Sequence, residues 1–158
     1  MTPSHVLLLA FGIGIVTGLR SLASPAVVAW AAHRGWLNLQ GASLSFLGST
    51  AAVATLTILA VVELVTDKLA STPARTKPLG LSARILLGGL SGAAAALAGR
   101  QSTAVGCALG AVGGVVGAFA GYQVRTGLVR ALKIPDFVIA VLEDLVAVAS
   151  ALFIVTRF

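Results

Sequence analysis

The run from Phe137 to Thr156 is apolar along 20 residues except that Glu143 and Asp144 sit side by side inside it. About 20 residues is the length a helix needs to cross the ~30 Å hydrocarbon core of a bilayer. A carboxylate carried to mid-membrane costs at least ~2.5–3.5 kcal/mol unless it is paired or protonated. Any fold available to this chain must therefore be helical enough to satisfy its backbone in lipid and compact enough to supply partners for two buried acids.

Four more apolar runs precede this one. They are Val6 to Leu19, continuing past Arg20 and Pro25 to Ala32; Leu44 to Val62, extending toward Leu69; Leu79 to Gly99, with Arg84 inside; and Thr103 to Gly121. The chain is 58% hydrophobic and 10% charged, with a mean hydropathy of +1.01, against a charged fraction near a quarter in soluble domains. No segments alternate apolar and polar residues, which excludes the pattern of a membrane β-barrel. The fold expected is an all-α polytopic membrane helix bundle of about five spans, forming one domain over residues 1–158.

The first run does not fit a simple span. Ending at Leu19, its 14 residues cover only ~21 Å at 1.5 Å per residue. Continuing to Ala32, it carries Arg20 near mid-membrane and places Pro25 in the hydrogen-bond ladder. An interrupted first helix follows, which membranes tolerate only where protein or a wet cavity receives the freed backbone groups. "TGLRSLASP" (Thr17 to Pro25) is echoed by "TGLVRALKIP" (Thr126 to Pro135), with proline five residues after arginine in both. If residues 5–70 and 103–157 are repeat-like halves linked by a single helix over 79–99, the two copies run in opposite senses, an inverted repeat of the kind found in transporters.

The formal charge of +6 comes from eleven Lys and Arg that fall mainly between the apolar runs. That placement fits membrane-surface loops rather than nucleic-acid binding. With five spans, the N-terminal side holds Lys68, Arg75, Lys77, Arg84, Arg125, Arg130 and Lys133, and the other side Arg20, Arg34, Arg100 and Arg157. This predicts an N-terminus inside. Cys107 is the single cysteine, and His5 and His33 lack the spacing of a metal pair, so neither a metal site nor a cofactor is expected. No phosphate-cradling glycine loop or nucleophile–base pairing stands out, and the chain is read as not an enzyme.

The polar residues fall in stripes. In the fifth run Asp136, Ala140, Glu143, Ala147 and Ser150 share one helical face, with Asp144 about 100° round. In the second, Ser49, Ala52, Leu56, Ala60, Glu63 and Asp67 lead along one face to a carboxylate. Arg20, Arg84, Arg125 and Arg130 are the cations near membrane depth that can pair with these acids. The candidate solute or ion pathway is Arg20, Pro25, Glu63, Asp67, Arg130, Pro135, Asp136, Glu143 and Asp144. The loop "DKLASTPARTKP" (Asp67 to Pro78) offers Lys68, Arg75 and Lys77 to an anion or lipid headgroup. Gly106, Gly110 and Gly114 recur every four residues, a spacing that lets helix backbones approach closely and is compatible with a homodimer.

"TGLRSLASP", "ELVTDKLASTPARTKP" and "PDFVIAVLEDLVA" together resemble a bacterial membrane-protein family known as domain of unknown function 4126. The resemblance covers nearly the whole chain. It implies a small polytopic protein of a bacterial cytoplasmic membrane and carries no assigned activity. The function expected from the residues is a transporter or permeation protein for a small or anionic solute. A non-catalytic membrane scaffold is the alternative, and an enzyme acting on lipid-linked phosphate a more distant one.

Overall fold

A computed structural model of the chain describes residues 1–67 and 76–158. It contains six α-helices: α1 (Pro3–Leu19), α2 (Ala23–His33), α3 (Thr50–Thr66), α4 (Pro78–Ala98), α5 (Thr103–Leu132) and α6 (Asp136–Val155). A 3-10 turn covers Ser45–Gly48, and no strand occurs among the described residues. Helices α4, α5 and α6 are long and apolar enough to cross a membrane, and α1 and α3 are shorter apolar helices. The chain is thus an all-helical membrane bundle with five apolar helices and one short extra one.

Local chemistry sets the helix starts. Thr2 accepts a hydrogen bond from the His5 N–H, Ser49 from Ala52, and Ser102 from Val105, each satisfying an amide that the first turn leaves without a partner. Pro3 and Pro78 open α1 and α4, where proline's missing N–H is harmless. The second apolar run, read as starting at Leu44, begins its helix only at Thr50, because the Ser49 cap separates it from the 3-10 turn. The fourth run does not stop at Gly121; α5 continues 30 residues to Leu132.

The interruption of the first run is a reversal of direction. Helix α1 ends at Leu19, Arg20 to Leu22 leave the helix, and α2 turns back beside it. Val28 and Ala31 of α2 consequently share a core with Leu9, Ala10 and Ile13 of α1, and with Ala94, Ala95, Ala147 and Ala151. Helix α3 lies antiparallel to α2: Leu22 meets Glu63, Trp30 meets Thr57, and His33 meets Gly48. Pro25 does not break a ladder; it sits buried in the first turn of α2, where its missing N–H has no helical partner to lose.

This reversal corrects the topology read from the sequence. The N-terminus lies at the same end as Arg34, Arg100 and Arg157. Lys77, Arg130 and Lys133 lie at the opposite end, where α1 stops and α4 and α6 begin. A five-span count that carries the first run straight through to Ala32 puts Arg34, Arg100 and Arg157 opposite the N-terminus, whereas the end of α4 at Gly99 lies beside Val6 near the start of α1.

Glycine governs how α1, α4 and α5 meet. A methyl added at Gly14 would run into the Gly110 carbonyl, one at Gly110 into Gly88, and one at Gly92 into the Gly106 carbonyl. Backbones this close leave no room for side chains between them. The register also fixes direction. Gly14 lies against Gly110 and Gly18 against Gly114 and Gly117, so α1 and α5 are parallel. The two "TGL" segments that end them therefore point the same way. An inverted repeat built on that echo does not hold, because inversion requires the segments to be opposed.

Overpacking a close backbone contact costs typically ~1–3 kcal/mol. Gly110→Ala should lower the thermal unfolding midpoint in detergent, because the added carbon meets Gly92 Cα at 2.9 Å. Gly127→Ala, whose methyl would have nothing within 4 Å, should leave the midpoint unchanged or slightly raised. Circular dichroism melts of the two variants check the pair.

Candidate functional site

The α1–α2 break creates the chemistry around it. In a continuous helix the Leu22 N–H would bond the Gly18 carbonyl, and Ser21 the Thr17 carbonyl. Here both amides turn instead to Glu63 of α3, each at 2.8 Å, and the Ser21 hydroxyl joins the same carboxylate. The abandoned Gly18 carbonyl accepts from Arg84 Nε at 3.0 Å, while Arg84 Nη1 donates to the Gly80 carbonyl at 2.9 Å. An anion thus caps the N-terminal end of α2 and a cation the C-terminal end of α1, the arrangement that helix dipoles favour. The two capping side chains lie 3.9 Å apart.

Arg20 occupies the break itself and is fully buried. Its guanidinium contacts Asp67 of α3, Asp144 of α6 at 2.5 Å and Glu143 of α6 at 3.8 Å. The pairing with Asp67 combines charge attraction with a side-chain hydrogen bond. One helical turn above Glu63, Asp67 also takes Arg125 Nη1 of α5 at 3.0 Å. Arg125 grips Asp136 at 2.8 and 2.5 Å and reaches Glu143 at 3.5 Å. The chain has five acidic residues, and every one of them belongs to this cluster with Arg20, Arg84 and Arg125.

The cluster extends from the membrane surface into the bundle. Asp136 is mostly exposed at the start of α6, whereas the Glu143 side chain, seven residues on, is 10% exposed. An apolar groove of about 280 Å³ runs between α5 and α6. Val124 and Leu128 line it from one side and Leu142 and Val146 from the other, and Arg125 and Glu143 reach its wall.

Of the residues picked from the sequence, the structure brings together Arg20, Glu63, Asp67, Asp136, Glu143 and Asp144. Pro25 lies beside the break without polar contact to the cluster. Pro135 is exposed at the N-cap of α6, and Lys77 is exposed at that of α4. Arg130 is exposed and makes no ion pair among the described residues, so its place in the pathway is not supported. Lys68 and Arg75 lie outside the described residues.

Arg125 takes the role given to Arg130, and helical geometry shows why. Gly114, Ala118, Gly121 and Arg125 follow one another at +4, +3 and +4, so Arg125 extends the buried stripe of α5. Arg130, five residues further, is rotated about 140° away. Arg84, expected with Arg125 among the cations able to pair with the acids, lies on the face that Gly88, Ser91 and Ala95 continue, and all are buried. On α6 the buried seam is Ala140, Asp144, Ala147 and Ala151. Asp144, read as 100° off the stripe, is therefore on it, and Ser150 is not. The backbone amides of Ser21 and Leu22 left no side-chain signal to find.

Removing one member of a buried ion pair costs about 3–5 kcal/mol, because the remaining charge keeps its desolvation penalty. Arg20→Gln should therefore cause a large fall in detergent melting temperature, whereas Arg130→Gln should stay within about 0.5 kcal/mol of the parent, as surface substitutions do. Equal melts for the two variants would contradict the assignment of Arg20 as the hub.

No functionally curated protein matches this chain. No solved structure matches it either. A family profile does, across residues 7–156. Those bounds take in the α1–α2 break, all five acids and the three arginines that meet them; the chain belongs to the family described as domain of unknown function (DUF4126).

Proposed function

We propose that this protein is a small permeation protein or transporter of a bacterial cytoplasmic membrane, and that the acid–arginine cluster is its working site. The reading rests on one observation: Glu143 and Arg125 belong to a buried ionic cluster and also reach the wall of a groove between α5 and α6. Intramembrane ionisable groups of this kind mark ion, proton or substrate paths by default. A proton on Glu143 would cancel its attraction to both Arg20 and Arg125 and loosen α6 against α1 and α5. A small or anionic solute drawn to the guanidiniums would exploit the same loosening. The reading is non-enzymatic, needs no cofactor and takes the bilayer as partner; it requires no second copy of the chain.

Orientation follows from the end that carries the basic residues. Helix α3 finishes and α4 begins on that side, and the sequence joining them holds Lys68, Arg75 and Lys77, with Arg130 and Lys133 at the end of α5. The positive-inside rule then faces this end to the cytoplasm and the N-terminus outward. A purely structural scaffold is the second reading, and the complete burial of Arg20 among carboxylates favours it.

Purified protein in liposomes holding an entrapped pH dye separates the two. Under a potassium diffusion potential, the wild type should carry protons several-fold faster than protein-free vesicles. Glu143→Gln should fall to the protein-free rate and Arg130→Gln should not. Wild-type flux no greater than the empty vesicles, or undiminished flux in Glu143→Gln, overturns the proton-coupled reading and leaves the scaffold.

A further inference from the structure

Helix α3 is attached to the bundle in two unlike ways. From its start to its middle it is held to α2: His33 Nδ1 donates to the Gly48 carbonyl at 2.8 Å, Gly48 packs on Ala32, and Trp30 Nε1 donates to Thr57 Oγ1 at 3.0 Å. Among the described residues its substantial packing is against α2 and the 3-10 turn alone. Only Val53 and Ala60 of its 17 residues are buried, and Ile58, Val61, Val62 and Val65 are exposed. At its far end the links are ionic: Glu63 to the Ser21 and Leu22 amides and to Arg84, and Asp67 to Arg20 and Arg125. Those partners stand on the break that follows α1, on α4 and on α5, and α1, α4 and α5 are the helices locked by backbone-to-backbone glycine contacts.

We infer that α3 is a lever that gates the ionic cluster from the basic end of the protein, pivoting near Gly48 and Ser49 and latched by Glu63 and Asp67. The two latches are four residues apart, on one face of the helix. Elements with few buried apolar contacts are the ones that open locally, and rigid helices swing about positions at their ends. At 1.5 Å per residue α3 is ~25 Å long, so once the Trp30–Thr57 hydrogen bond near its middle is released a small rotation at the pivot carries its tip by several ångströms. The glycine-locked α1, α4 and α5 form the fixed frame. Swinging α3 outward withdraws Asp67 from between Arg20 and Arg125 and uncovers the break. The lever deepens the permeation reading by naming the part that moves.

Electron–electron distance measurements in nanodiscs test it, on a Cys107→Ala background. One spin-label pair joins the lever to the frame, at Val65→Cys and Val116→Cys; a control pair within the frame uses Leu86→Cys and Val116→Cys. All three labelled positions are exposed. Glu63→Gln with Asp67→Asn removes both latch charges while keeping their shape. The lever pair should shift or broaden by several ångströms and the control pair should not move. If the double variant does not fold, Asp67→Asn alone should give the same change in smaller measure. An unmoved lever pair, or equal broadening of both pairs, overturns the lever. Proton flux is a separate measurement. A rigid α3 in a conducting protein sinks the lever alone, and a mobile α3 without flux sinks the permeation reading alone.

Discussion

Everything at the centre of this bundle depends on reversing the chain at Arg20 inside a membrane-sized helical layer. A reversal exposes amides at one helix end and carbonyls at the other, and lipid offers neither a partner. Glu63 takes the amides of Ser21 and Leu22, and Arg84 takes the Gly18 carbonyl. Because the two caps carry opposite charge, each also moderates the burial of the other. The reversal would otherwise leave several polar groups unmatched, each costing kilocalories in hydrocarbon.

The glycine contacts make that reversal affordable in space. Helices α1, α4 and α5 approach until backbone meets backbone at Gly14, Gly88, Gly110 and Gly114. Without a hydrophobic force between helices in lipid, such close packing is a main source of association. It also brings Arg84 near enough to reach across to Gly18. The stiff part and the charged part are thus one construction: the glycine face sets the distance, and the arginine spans it.

Much of this was legible in the sequence. Apolar runs located the helices, and the conflict between a short and an overlong first run revealed the break near Arg20. All eight of the acids and arginines now seen together were named there, six as pathway residues and Arg84 and Arg125 as cations able to pair with the acids. What could not be read was direction. Nothing in the residues Arg20 to Pro25 distinguishes a kink from a reversal, since proline in a first turn and proline in a helix interior are the same letter. That one ambiguity propagated to the side of the N-terminus and to the inverted repeat. The choice of Arg130 over Arg125 arose differently, from following the echo with Arg20 and Pro25 rather than the helical face continuing from Gly121.

The break does not by itself demand the whole cluster. Capping needs Glu63 and Arg84. Neutralising Arg20 is achieved by Asp67 and Asp144, the two carboxylates it contacts most closely. Arg125, Asp136 and Glu143 go further: they extend the charge from the reversal along α5 and α6 to the surface, where Asp136 is exposed. Arg125 thereby ties α5 to Asp67 at the end of α3 and to Asp136 and Glu143 of α6, links that capping the reversal does not itself require. The groove walled by Arg125 and Glu143 lies on this extension rather than on the caps. The charge beyond what the backbone requires is therefore the part on which the proposed permeation reading rests.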